Sequence, residues 1–169
     1  MIMIIKEYCA EYCTDTAKLF YDTVHTINAE HYNKKQLYAW ASPQIPFKKW
    51  HQSFEKHYAV VAIENGIVVG FGDMDRYGYL DRLYVHKNYQ RRGIATAICD
   101  TLEMTIPSRK YVSHVSITAK PFFEKRGYSV VKKQLVKRKN VVLANYVMEK
   151  VINKISEMCD KQNMEEGNL

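Results

Sequence analysis

At 169 residues with 47% apolar side chains, the chain has the length of one domain and enough apolar content for a packed core. Its formal charge of +7 fits nucleic-acid binding, attraction of a polyanionic small molecule, or solubility alone. Nowhere do the roughly 18 apolar residues of a membrane span run together, and MIMIIKEY is too short for a signal-peptide core, so a cytoplasmic protein with no membrane partner is expected. Cys9, Cys13, Cys99 and Cys159 fall in predicted helices and lack CxxC spacing, and the histidines show no ligand spacing, so neither a metal site nor a disulfide framework is expected.

MIMII opens the chain as a short apolar strand, and Leu19, Thr23, Val24 and Ile27 then recur at helical spacing. From Asn33 to Phe54, with Trp40, Pro43, Pro46 and Trp50, the pattern predicts a second helix, a proline-punctuated loop and a helical turn. Tyr58 to Ile63 and Ile67 to Asp73 are β-rich runs joined through Glu64, Asn65 and Gly66, where the Asn-Gly pair signals a hairpin. Gly78 to His86 predicts a fourth strand and Arg92 to Met104 a helix with Ile94, Ala97, Ile98, Thr101 and Leu102 on its apolar face. Pro107 ends that region. Tyr111 to Ser116 gives a fifth strand, and a short helix follows with Thr118 as N-cap and Gly127 as its stop. Tyr128 to Val136 and Val141 to Glu149 complete the strands. A domain over 1–150 is thus expected, followed over 151–169 by an amphipathic helix with Val151, Ile155, Met158 and Cys159 on one face and the polar end NMEEGNL.

The run LYVHKNYQRRGIATA, Leu83 to Ala97, joins an alternating strand to a helix through QRRGIA. The first helical turn leaves several backbone N–H groups without intrahelical partners and carries the positive end of the helix dipole. Gly93 permits close approach of a phosphate, and Arg91 and Arg92 add positive charge. Neither GxxxxGK[ST] nor GxGxxG occurs, so nucleoside triphosphate and dinucleotide sites are unsupported. A basic, solvated helix start would look the same in isolation.

Together with the downstream block SITAKPFFEKRGYSVV, Ser116 to Val131, this loop resembles the GNAT superfamily of N-acetyltransferases. The resemblance covers Ile4 to Lys150 and is densest from Gly78 to Tyr128. It implies an α/β (α+β) fold: a mixed, mostly antiparallel sheet of about six or seven strands flanked by helices, with the fourth and fifth strands splayed to admit acetyl-CoA. By the same resemblance, Gln90, Arg91, Arg92, Gly93, Ile94, Ala95 and Thr96 hold the pyrophosphate. The main chain of Leu83, Tyr84 and Val85 would pair with the pantetheine and acetyl groups. The basic run KKQLVKRK, Lys132 to Lys139, is read as a solvated strand, so the charge is assigned to cofactor capture rather than to nucleic acid.

Acetyl transfer to an amine needs a proton acceptor, a polarised carbonyl and a way out for the thiolate. Where members of the family carry an acid or histidine before the loop stand Asp81 and Tyr79, placed by strand alternation on one face, with Arg82 on the other. Asp81 is the leading base, directly or through water; the competing reading pairs it with Arg76, Arg82 or a lysine. Phe123 occupies the position where many members have a tyrosine beside the sulfur, which leaves Tyr79 or Tyr146 as the alternative hydroxyl, Phe123 packing against the pantetheine arm and Phe122 in the core. Tyr21, His25, Tyr32 and Trp40 are candidate acceptor contacts, against the ordinary packing expected when 13 of 169 residues are tyrosine. The expected activity is direct acetyl transfer from acetyl-CoA to a primary amine, the alternative a noncatalytic acyl-CoA sensor; a homodimer is compatible with either.

Overall fold

The computed structural model describes residues 2–153. Seven strands form one sheet in the order β1-β2-β3-β4-β5-β7-β6: β1 (Met3–Glu7), β2 (Tyr58–Glu64), β3 (Ile67–Met74), β4 (Tyr79–Val85), β5 (Lys110–Ser116), β6 (Ser129–Arg138) and β7 (Val141–Val151). All neighbours are antiparallel except β4 and β5. The helices are α1 (Cys13–Thr26), α2 (Lys34–Trp40), α3 (Phe47–Gln52), α4 (Ile94–Thr105) and α5 (Lys120–Lys125). Among the described residues no helix is long and apolar enough to cross a membrane.

One layer of core lies between the sheet and α4, built from residues such as Val60, Val69, Leu80, Ile98 and Leu102. On the opposite face α1 and its neighbours cover a second layer around Leu19, Phe54 and Phe71, and a third around Val24, Leu37, Ala41 and Leu143. The Asn65-Gly66 hairpin forms with both residues at positive φ, 52° and 76°.

Several expectations shift. Val151 belongs to β7 rather than to a tail helix, while Ile155, Met158 and Cys159 lie outside the described residues. Cys9 sits in extended backbone, because helical structure starts only after it. Ala119, not Thr118, is the N-cap of α5; the Thr118 hydroxyl is engaged 3.1 Å from His31 Nδ1, and Ser116 Oγ accepts from the Ala119 amide instead. The buried stripe of α4 is Ile94, Ile98, Cys99 and Leu102, so the helix is rolled away from Thr101, whose hydroxyl donates back to the Ala97 carbonyl. Phe123 is buried at 3% exposure and Phe122 only partly so, the reverse of their expected places, because a six-residue helix turns only one of two adjacent rings inward.

Candidate active site

β4 and β5 pair only at Tyr79↔Val112 and Leu80↔Ser113, and part beyond Leu80. On its other edge β4 stays paired to β3 as far as Val85, and the His86 amide still donates to the Val69 carbonyl. An antiparallel ladder turns alternate main-chain groups to opposite edges. Tyr84 therefore faces β3, its carbonyl oxygen beside Gly70, whereas Leu83 and Val85 face the gap. Of the three expected main-chain contacts, Tyr84 is thus turned away. The Val85 carbonyl is already taken by the Thr23 hydroxyl at 3.0 Å and the Gln90 side-chain amide at 2.7 Å, leaving the Val85 N–H and the Leu83 groups toward the opening.

Gln90 thereby fastens the start of the loop to the end of β4. Arg91 and Gly93 both adopt positive φ, 60° and 78°, and no side chain caps α4. The first-turn amides of Ile94, Ala95 and Thr96 lack intrahelical partners, an arrangement that can receive an anion. A Cβ at Gly93 would meet nothing within 4 Å, so conformation, together with room for a ligand, favours glycine there. Both arginines are exposed, but Arg92 donates to the buried Glu64 at 2.9 Å and lies over the Tyr89 ring.

At the mouth of the gap the β3–β4 register jumps from Asp73↔Arg82 to Met74↔Leu80, leaving Asp81 as the extra residue of a bulge. The bulge swings Arg82 onto the face of Asp81, correcting its expected place opposite. Arg82 does not pair with Asp81. Its Nε and Nη2 donate to the two oxygens of Asp73, both at 2.8 Å, Nη1 donates to Ser53 Oγ at 2.7 Å, and the guanidinium stacks over Phe54. Asp73 is 0% exposed, and its Oδ2 also accepts from His57 Nδ1 at 2.5 Å.

Asp81 lies 3.9 Å from that same imidazole nitrogen with its side chain 41% exposed, so it is the carboxylate of the group that opens to solvent. Burial, then the Asp73 charge, raises its pKa, while Arg82 and His57 pull it back. His57 is raised chiefly by its bond to Asp73. Ligand atoms of His57, Asp73 and Asp81 fall within 4.8 Å of one another, but Arg82 holds both Asp73 oxygens, so the arrangement is an ion-pair network rather than an open metal shell. His57 and Asp73 escaped sequence reasoning. The available signal was an aspartate inside a run of otherwise apolar β3 residues, since a buried carboxylate requires partners.

Tyr79 shares the Asp81 face, its ring against His114 at 5.4 Å, and burial pushes its phenol up to about 12. Tyr146 packs on the other face, in the cluster that contains Phe123. Cys99 is 1% exposed and burial pushes its thiol up to about 12, so it holds no nucleophilic thiolate at neutral pH. Tyr21, His25, Tyr32 and Trp40 gather around the third core layer, yet three of them are spoken for. Tyr32 donates to the Ala144 carbonyl and accepts from the Ile117 amide, and His25 Nε2 is 2.8 Å from the Ala41 carbonyl oxygen. Trp40 donates to the Tyr84 hydroxyl at 3.2 Å, which connects α2 to β4.

The family described as acetyltransferase (GNAT) domain matches residues 28–150. "Uncharacterized N-acetyltransferase YafP" of Escherichia coli K12 is 36% identical over 135 residues, covering 77% of this chain and 83% of its own length. The crystal structure titled as a GCN5-related N-acetyltransferase, aminotransferase class II, from Rhodopseudomonas palustris superposes with a TM-score of 0.84 at 28% identity, over 90% of this chain and 99% of that one. PaiA N-acetyltransferase from Thermoplasma acidophilum, solved with coenzyme A, shares the fold with a TM-score of 0.74 at 16% identity, over 90% and 100% of the two chains.

Proposed function

The chain belongs to the GNAT acetyltransferase family and is an N-acetyltransferase, and from that premise we propose that it moves the acetyl group of acetyl-CoA onto a primary amine by direct attack in a ternary complex. The observation that carries this reading is the parting of β4 from β5 beyond Leu80, which turns Leu83 and Val85 main-chain groups toward a slot that ends at the uncapped start of α4. The CoA bound by the Thermoplasma relative supports the same donor here.

Acetyl-CoA supplies a thioester whose carbonyl carbon accepts the amine. The Gly93 to Thr96 amides and Arg91 hold the pyrophosphate, and the Leu83 carbonyl and amide with the Val85 N–H align the pantetheine arm. Asp81, beside the bulge, takes a proton from the acceptor ammonium, directly or through water. The nitrogen lone pair then forms the new C–N bond, the C–S bond breaks with its electron pair leaving on the CoA sulfur, and the surplus proton on the nitrogen passes, directly or through water, to that thiolate. Phe123 has no proton to give; Tyr79, on the Asp81 face, and Tyr146, on the opposite face, are the hydroxyl candidates for that sulfur.

The test is acetyl-CoA-dependent free-thiol release over a panel of amines, with thermal shift by CoA on the same samples. Turnover on an amine and loss of the CoA shift in Gly93→Glu support the reading; a CoA shift without turnover supports an acyl-CoA sensor, and no shift in the native chain overturns the CoA slot.

A further inference from the structure

The face of the sheet that carries Asp81 holds further polar groups that the transfer step leaves unused. β6 and β7 join in a hairpin with Lys139 and Asn140 at positive φ, and Val136 and Val141 pack on the core layer beneath α1 and α2. Arg138 stands directly opposite Val141 and two residues from Val136, so strand alternation places it on that same face. It is exposed. Burial raises the Tyr79 and Tyr84 phenols and the Asp81 carboxyl, and the Arg138 charge opposes that rise at all three from a strand that does not neighbour β4.

Asn145, two residues along β7 from the buried Leu143 and therefore on this face, keeps its side-chain Oδ1 buried with no hydrogen-bond partner. A buried acceptor left unpaired carries an uncompensated desolvation cost, which a donor from a bound molecule would remove. The face thus offers one solvent-accessible carboxylate, one cation across from it and one orphaned acceptor between their strands.

Resting on the acetyl-transfer reading, we propose that the acceptor is a small amine that carries a carboxylate beside its reactive nitrogen, as an amino acid does. Arg138 pairs with the carboxylate, Asp81 receives the amine, and Asn145 Oδ1 accepts from an N–H or O–H of the same molecule. A polyamine fits poorly, because its second ammonium would meet Arg138 with like charge.

The experiment compares amino acids with their amides and with the corresponding decarboxylated amines, by thiol release with saturating acetyl-CoA. The amide is the most readily deprotonated amine of each set and the decarboxylated amine the least, so amine basicity alone ranks the acid between them. The expected result is that the acid has the highest kcat/KM, that Arg138→Gln lowers its advantage over the amide about tenfold, and that Arg138→Lys restores part of it. An acid ranked between its analogues, or an advantage untouched in Arg138→Gln, overturns the proposal. So does absence of turnover on every set; a CoA-induced thermal shift in those samples then leaves the donor reading standing, and its absence removes both.

Discussion

Asp81 and Asp73 are the same residue type a few ångströms apart, and their surroundings divide the labour. Asp73, fully buried, has its oxygens filled by Arg82 and His57, so it can serve only as fixed charge. Asp81, partly open and raised by burial and by the Asp73 charge, is the one able to exchange a proton with a bound amine. Asp81→Asn is expected to lower kcat by roughly 10²-fold or more while leaving CoA affinity nearly intact, measured by steady-state kinetics and CoA titration; unchanged kcat would remove Asp81 from the chemistry. The base acts ionised, so kcat/KM should rise with pH through a limb above the ordinary aspartate range. Because the His57 charge lowers the Asp81 pKa, His57→Gln should move that limb to higher pH.

Among the elements, α4 is the one that places the proposed phosphate loop, and two β3 glycines set its distance from the sheet. A Cβ at Gly72 would stand 2.8 Å from Ile98 Cγ2 and 3.0 Å from the Arg82 carbonyl oxygen, and one at Gly70 2.8 Å from Ile94 Cγ2. The helix could roll from a side-chain clash, but the carbonyl belongs to β4 itself. Gly72→Ala is therefore expected to destabilise the fold by about 1–3 kcal/mol and to weaken CoA binding by shifting the start of α4. Urea unfolding and CoA titration of the variant check both, and native values for both would show that the contact relaxes freely. The bulge in β4 is the companion device: one extra residue aims Asp81 and Arg82 to the same face where plain alternation would separate them.

At the scale of the molecule, the +7 charge is not gathered at one mouth. β6, with Lys132, Lys133, Lys137 and Arg138, is the edge strand at one side of the sheet, whereas the loop before α4 lies toward β2, where Arg92 meets Glu64. Arg92 is paired with Glu64 and Arg91 is the exposed arginine beside it, and the rest of the field is distributed. The KM for acetyl-CoA should consequently rise with added salt by a modest factor, about two- to fivefold from low ionic strength to roughly 0.5 M, measured at fixed acceptor; salt independence would mean that backbone amides carry the phosphate alone. The features legible in the chain are local: the Asn-Gly hairpin, the helix start at QRRGIA, the strand alternation and the motif blocks, because turn chemistry, end amides and periodicity act between near neighbours. Only packing brings His57 to Asp73, spends Arg92 on Glu64, buries Phe123 rather than Phe122, and sets Arg138 on the Asp81 face of the sheet. Those outcomes depend on strand register, one inserted residue and the roll of packed helices, which no local pattern encodes.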